Sequence, residues 1–215
     1  MRAGNLIFDL DGTLWDTSVT VAQSWTDTIQ TSGIPMYKKR VFTAEDMMSV
    51  MGMTMIDIAD KMFEDLSPTR RMEIMERCAE DENNYLAEHG GIIFDGEEET
   101  LKALSATKRL FIVSNCQSGY IETYLEYTGF EKYFSDYLCW GDTGMEKGDT
   151  IRALIEKNQC IDPVYVGDTH SDYSAAVRAE IPFIHAAYGF GKLRTSDTPA
   201  AVIHDLKELC TVIDP

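Results

Sequence analysis

The sequence predicts an α/β fold, a Rossmann-like open parallel sheet with helices on both faces and an all-helical cap inserted into it. Three observations carry that expectation. Short stretches rich in branched and aromatic residues recur along the chain. From residue 91 onward they alternate with segments of helical period. Between residues 16 and 90 the alternation stops and only helical signals remain. Strands that alternate with helices pair in parallel, because a parallel neighbour can be reached only by a crossover connection. In such sheets ligands bind beyond the carboxyl ends of the strands, which directs attention to the residues found there.

The elements follow in order. Residues 6–8 form the first predicted strand. Val21, Trp25 and Ile29 then fall at helical spacing, and Gly33 closes that helix. Thr43 with Asp46 resembles a capping box, and Ser67-Pro68 opens a helix that runs through Met72, Met75 and Ala79 to Gly90. Residues 16–90 are therefore assigned to a helical cap domain, and residues 1–15 with 91–215 to the Rossmann-like core domain. Nine of the eleven methionines lie in the insertion, which predicts an adaptable, loosely specified helical core there. Further strands are expected at residues 110–113, 137–140, 164–166, 182–185 and 201–204. Helices are expected around Ile121, Leu125 and Thr128, ending at Gly129, and around Ile151, Leu154 and Ile155.

Composition excludes several function classes. At 215 residues, 44% hydrophobic and 26% charged, the chain can bury a core and is not of disordered type. Nineteen basic against thirty-six acidic residues give a net charge of −17, which repels phosphodiester backbones and anionic lipid surfaces. Neither nucleic acid nor membrane is an expected partner, and no obligate protein partner is indicated. Cys78, Cys116, Cys139, Cys160 and Cys210 are odd in number, scattered and without a Cys-x-x-Cys pair, so they are expected to be reduced and mostly buried. No apolar stretch reaches signal-peptide or membrane-spanning length, and the expected compartment is the cytoplasm.

The chemistry gathers at the predicted strand ends. The first strand runs into Asp9-Leu10-Asp11-Gly12-Thr13, and carboxylates two residues apart in an extended segment share a face. An EF-hand loop fails on spacing, since with Gly12 at its sixth position the first would be Ile7; an Asp- and Gly-rich turn remains the plain alternative. The strand at 164–166 ends in Gly167-Asp168, with Asp172 four residues on at the start of a helix. Asp9 and Asp168, both at strand carboxyl ends, can meet on one hard cation, and Mg²⁺ suits oxygen ligands. The strand at 110–113 runs into Ser114-Asn115, a hydroxyl and an amide able to hold phosphate oxygens or simply to make a turn. Lys147 stands at a loop-to-helix transition in an acidic region.

Acid, hydroxyl, lysine and acid in this order resemble the four motifs of the haloacid dehalogenase superfamily. Those motifs run Asp-x-Asp-Gly-Thr, then Ser or Thr after the second strand, then Lys, then Gly-Asp-x-x-x-Asp. The insertion resembles that superfamily's first-type cap, found in phosphoglycolate phosphatase and β-phosphoglucomutase relatives. One departure is that Gly148 and Thr150 stand where many relatives carry prolines.

The resemblance implies a Mg²⁺-dependent phosphatase that hydrolyses a small phosphorylated metabolite through an aspartyl-phosphate intermediate. It implies Asp9 as nucleophile, Asp11 as acid and then base, and Asp9, Asp11 (through its carbonyl), Asp168 and Asp172 around Mg²⁺. Ser114 and Lys147, with Thr13 and Asn115, are implied to hold the phosphate. The same motifs also fit a phosphomutase of the β-phosphoglucomutase type, or a catalytically silent binding protein. Specificity is expected in the cap, around Lys38-Lys39-Arg40 and Met51-Gly52-Met53-Thr54. His170 is expected to be a loop residue near the site.

Overall fold

The structure, a computed structural model, describes residues 1–213, so the last two positions of the predicted core domain lie outside the described residues. Its strands are β1 (Asn5–Phe8), β2 (Trp15–Asp16), β3 (Ile92–Ile93), β4 (Arg109–Ser114), β5 (Phe134–Cys139), β6 (Pro163–Gly167), β7 (Phe183–Ala186) and β8 (Ala201–Ile203). Six of them form one sheet in the order β5-β4-β1-β6-β7-β8, parallel throughout. The chain winds outward from β1 through β4 to β5, then returns to the other side of β1 for β6. The crevice between β1 and β6 is therefore the point where the winding reverses, the position at which open α/β sheets bind ligands.

Each central strand alternates between two cores. Leu6 and Phe8 of β1, Leu110 and Ile112 of β4, and Val164 and Val166 of β6 pack on one face. Ile7, Phe111, Val113 and Tyr165 pack on the other, against Ile151 and Leu154 of α8 (Lys147–Asn158) and Ala175 and Ala176 of α9 (His170–Arg178). These strands read as continuous apolar runs because both of their faces are buried.

The segment after β1 is helical: α1 (Ser18–Thr31), α2 (Ala44–Met48), α3 (Met55–Met62) and α4 (Pro68–His89). Thr43 and Asp46 form the expected capping box, and Pro68 opens α4 at its first turn. Trp25 of α1 packs with Phe42 and Phe63 at ring distances of 5.8 and 6.0 Å, so aromatic side chains share the interior with the methionines. At the base of this unit β2 and β3 pair antiparallel, Trp15 opposite Ile93 and Asp16 opposite Ile92. Two-residue strands carry no periodicity, which is why the sequence showed no signal for them. Besides α8 and α9, the core helices are α5 (Glu97–Ser105), α6 (Tyr120–Thr128), α7 (Trp140–Thr143) and α10 (Leu209–Val212).

Each predicted strand of the sheet shifts by a residue or so at one end or both, and the largest shift is in β5, which starts at Phe134 and stops at Cys139, with Trp140 opening α7 instead of ending the strand. Among the described residues no helix is long and apolar enough to cross a membrane. All five cysteines are free; Cys78, Cys116 and Cys139 are buried, Cys160 is half-buried and Cys210 exposed.

Candidate active site

Asp9 follows β1 directly, and its backbone N–H donates to the Val166 carbonyl of β6 at 2.8 Å, so the adjoining strand fixes where its side chain emerges. Asp168 follows β6 in the same way. Asp172 lies in the first turn of α9, and Lys147 is the first residue of α8. All four are buried. The ammonium of Lys147 donates to Asp9 Oδ1 at 2.8 Å and to Asp172 Oδ1 at 2.7 Å. Burial alone would lower the pKa of Lys147, but the Asp172 and Asp9 carboxylates overcome that and raise it, so the lysine stays charged. The Asp9 carboxyl is raised by burial first and then by Asp172, against the pull of Lys147.

Gly148, the departure from the motif, has a packing reason. A Cβ there would lie 2.8 Å from Arg178 Cδ and 3.0 Å from the Ala175 carbonyl oxygen, so glycine lets the start of α8 press against α9. That contact brings Lys147 within reach of Asp172.

Asp9, Asp168 and Asp172 present carboxylate oxygens within 4.8 Å of one another. Three carboxylates against the one ammonium leave a formal −2 in a buried place. Asp168 Oδ2 accepts from the backbone N–H groups of Phe190 and Gly191 at 2.7 and 2.9 Å, while its Oδ1 is buried without a hydrogen-bond partner. Burial, then Asp172, push Asp168 up to about 7 despite those two N–H groups. An orphaned hard oxygen, two neighbouring carboxylates and an excess charge of two fit a divalent cation such as Mg²⁺. Asp172 is more fully engaged, because its Oδ2 accepts from both the N–H and the hydroxyl of Thr169 in a capping box.

Asp11 has different company. Its Oδ1 accepts from Tyr120 Oη at 2.7 Å and from Thr17 Oγ1 at 3.0 Å, and no basic side chain among the described residues bonds to it. Burial pushes it up to about 6 against those two hydroxyls. Two aspartates two residues apart are thus set up differently, one on an ammonium and the other on neutral donors.

Ser114 ends β4 and lines the cleft with Asn115, Asp9 and Asp11. The amide of Asn115 donates to the Gly52 carbonyl at 2.8 Å, so it ties the sheet mouth to the cap. Thr13 is fully buried and does not line the cleft; its N–H donates to the Leu10 carbonyl, and its own carbonyl accepts from Tyr188 Oη. His170 pairs through Nδ1 with Asp197 Oδ2 at 2.7 Å, outside the cleft. The cap side of the cleft includes Trp25, Val50, Met51, Gly52, Met53 and Glu82. Lys39 and Arg40 instead line a separate groove with Met36, Tyr37, Glu64 and Asp65.

Sequence reasoning missed Tyr120, Thr17, Glu82, Gln117 and the loop of Gly189, Phe190 and Gly191. Thr17 and Tyr120 bond to each other across 103 positions of sequence, a proximity only the fold creates. The loop could have been noticed as two glycines just past a strand. A Cβ on Gly189 would lie 2.3 Å from the Gly12 carbonyl oxygen and 2.4 Å from Asp168 Cβ, so only glycine fits against Asp168.

This fold, with acids, hydroxyl and lysine gathered at the switch point, defines a class. The family model described as haloacid dehalogenase-like hydrolase matches residues 6–186, and the chain belongs to that family. The phosphoglycolate phosphatase of Agrobacterium fabrum is 30% identical, the match covering 94% of this chain and 89% of that protein. The pyrophosphatase PpaX of Oceanobacillus iheyensis is 23% identical, covering 99% and 98%. The crystal structure of CbbY from Rhodobacter sphaeroides in complex with phosphate has a TM-score of 0.80 at 16% identity, covering 97% of each chain.

Proposed function

We propose that the protein is a Mg²⁺-dependent phosphatase of small phosphomonoesters that works through an aspartyl-phosphate on Asp9. The observation that carries this is the unequal treatment of Asp9 and Asp11 at one sheet mouth. The Lys147 ammonium aims one oxygen of Asp9 and offsets part of the burial that raises its carboxyl, as a nucleophile requires; Asp11, bonded to two hydroxyls and pushed by burial up to about 6, can hold and release the proton that a general acid and base needs.

In this reading a carboxylate oxygen of Asp9 attacks phosphorus as the ester P–O bond breaks. The leaving oxygen takes its proton from Asp11. Asp11, now ionised, takes a proton from a water that attacks the phosphorus of the acyl phosphate, releasing inorganic phosphate and restoring Asp9. Tyr120 and Thr17 orient Asp11 for both transfers. Lys147 and Ser114 hold the phosphoryl oxygens, and Asp172 keeps Lys147 in place. Asp9, Asp168 and the Asp11 carbonyl, with Asp172 beside them, would hold Mg²⁺. The cation supplies charge neutralisation to the phosphoryl group when bound. The helices of residues 16–90 serve as the cap that excludes bulk water.

Hydrolysis is favoured over phosphoryl return to substrate. A mutase needs a second basic phosphate site on the cap facing Asp9, and among the described residues no Lys, Arg or His lines the cleft from the cap side. The test is a panel of phosphomonoesters with Mg²⁺, followed by release of inorganic phosphate. Metal-dependent release that disappears with Asp9→Asn is expected; release at full rate in EDTA, or isomer formation outpacing release, would overturn the reading.

A further inference from the structure

Glu82 of α4 lines the cap side of the cleft and is 5% exposed. Its Oε1 accepts from Gln117 Nε2 at 3.1 Å and its Oε2 from Trp25 Nε1. Both donors are neutral, and no basic side chain among the described residues pairs with this carboxyl. A carboxylate offers about four acceptor positions, so two fixed donors aim the group and leave capacity unused. Buried charges are normally paired or bound to metal, and here the chain supplies no counter-ion. Burial pushes the group up to about 7, the response of an acid that lacks a cation.

The rest of the cleft agrees. Its cap wall is apolar, built from Val21, Trp25, Val50, Met51, Met53 and Met55, and its remaining charges are Asp9 and Asp11. The cap's own basic residues are turned elsewhere. The Arg40 guanidinium lies over the rings of Tyr37, Phe42 and Phe63, and Phe63 in turn stacks on Trp25, so an aromatic layer separates Arg40 from the cleft. A leaving group bearing a carboxylate or a second phosphate would meet Asp11 and Glu82 with nothing to offset it. A positively charged one would meet Glu82 and the indole of Trp25, the strongest cation–π partner among side chains.

We propose, on the phosphatase reading above, that the preferred substrate is the phosphomonoester of an ammonium-bearing alcohol. Glu82 and Trp25 receive the ammonium group, and the valine and methionine wall covers the carbon chain.

The experiment compares kcat/KM of the wild-type enzyme with Mg²⁺ on O-phosphoethanolamine, phosphocholine, propyl phosphate and 2-phosphoglycolate, with p-nitrophenyl phosphate as an activity control. At least one cationic ester should exceed 2-phosphoglycolate by about a hundredfold and propyl phosphate by about tenfold, since like-charge juxtaposition is strongly disfavoured in a desolvated site. Glu82→Gln, which keeps an acceptor for Trp25, should bring the ratio of cationic ester to propyl phosphate close to one. Preference for 2-phosphoglycolate in the wild type overturns the inference while p-nitrophenyl phosphate hydrolysis leaves the phosphatase reading standing. A Glu82→Gln enzyme that keeps the wild-type ratio also overturns it. No release from any ester, the control included, removes the phosphatase reading itself and this inference with it. The wild-type ratios decide the matter even where the variant does not fold.

Discussion

At the mouth of the sheet, the polar groups are pinned by the fold. Asp168 is held by two backbone N–H groups, Asp11 by the hydroxyls of Thr17 just before α1 and Tyr120 at the start of α6, and Asp9 by a lysine that Asp172 anchors. Across the cleft the cap offers methionines, valines and an indole, with Glu82 as its acid. Preorganised charge belongs where bonds break, because it acts without reorganising at the moment of reaction. Adaptable apolar surface belongs where a leaving group is chosen. The contrast divides the labour: substitutions at the sheet mouth should cost turnover on every substrate, and substitutions in the cap should change which substrate is preferred.

The largest effect is expected at Asp9. Asp9→Asn removes the proposed nucleophile, and loss of a catalytic nucleophile costs on the order of 10⁴-fold or more in kcat. The loss should be the same for alkyl and aryl phosphates, measured as initial rates of phosphate release. A loss confined to one substrate would place choice, not chemistry, at the sheet mouth.

Asp11→Asn should be smaller and uneven. An amide cannot protonate the leaving oxygen, a contribution on the order of 10²-fold to 10⁴-fold for an alkoxide. Nitrophenolate leaves without that proton, so p-nitrophenyl phosphate should lose much less in kcat than propyl phosphate. Equal losses on both esters would remove the acid role and leave Asp11 as a support for Asp9.

The same division explains what was legible in the sequence. Asp9, Ser114, Lys147 and Asp168 were readable because each sits at a strand end or helix start, where local pattern and chemistry coincide. The capping box at Thr43 and the Gly90 stop were local too. Tyr120 and Glu82 were not readable. Nothing near Tyr120 announces Asp11, 109 positions away, and a glutamate inside a helix of alternating charge looks solvated until the helix is packed. Specificity was expected around Lys38-Lys39-Arg40, but Lys39 and Arg40 line a separate groove, and cation–π contact with the cap's own aromatic core holds Arg40 away from the cleft. Thr13, identical to the motif, proves to be a buried turn residue.

A third prediction separates two buried acids. Glu82 faces a cleft that a ligand can fill, whereas Glu97 of α5 faces protein: one oxygen accepts from Tyr124 Oη and the other has no partner. Burial pushes Glu97 from 4.5 up to about 8. Between those values the folded state holds a proton that the unfolded state has lost, so stability falls as pH rises from 4.5 to 8 and levels off above. Glu97→Gln removes that slope. Urea unfolding at pH 5 and pH 9 should show the variant gaining on the wild type by on the order of a few kcal/mol at the higher pH. Parallel losses with pH in both proteins would mean that Glu97 is already ionised in the fold.

The smallest effect is expected at Lys39, and it tests the cleft's boundary. Lys39 is exposed and lines the groove beside Glu64 and Asp65, on the far side of the aromatic layer formed by Tyr37, Phe63 and Trp25. A surface charge there is screened by solvent and salt over a Debye length of about 8 Å under physiological conditions. It can therefore change the encounter rate of an anionic ester slightly, but not the contacts made once the ester is bound. Lys39→Ala should leave kcat unchanged and KM within about twofold for each phosphomonoester, with any difference vanishing at high salt. A selective rise in KM for esters with anionic leaving groups, persisting at high salt, would place Lys39 at the substrate. The cap would then have to move far enough to bring its basic groove over Asp9, and the division between a charged sheet mouth and an apolar cap would hold for one of two cap positions only.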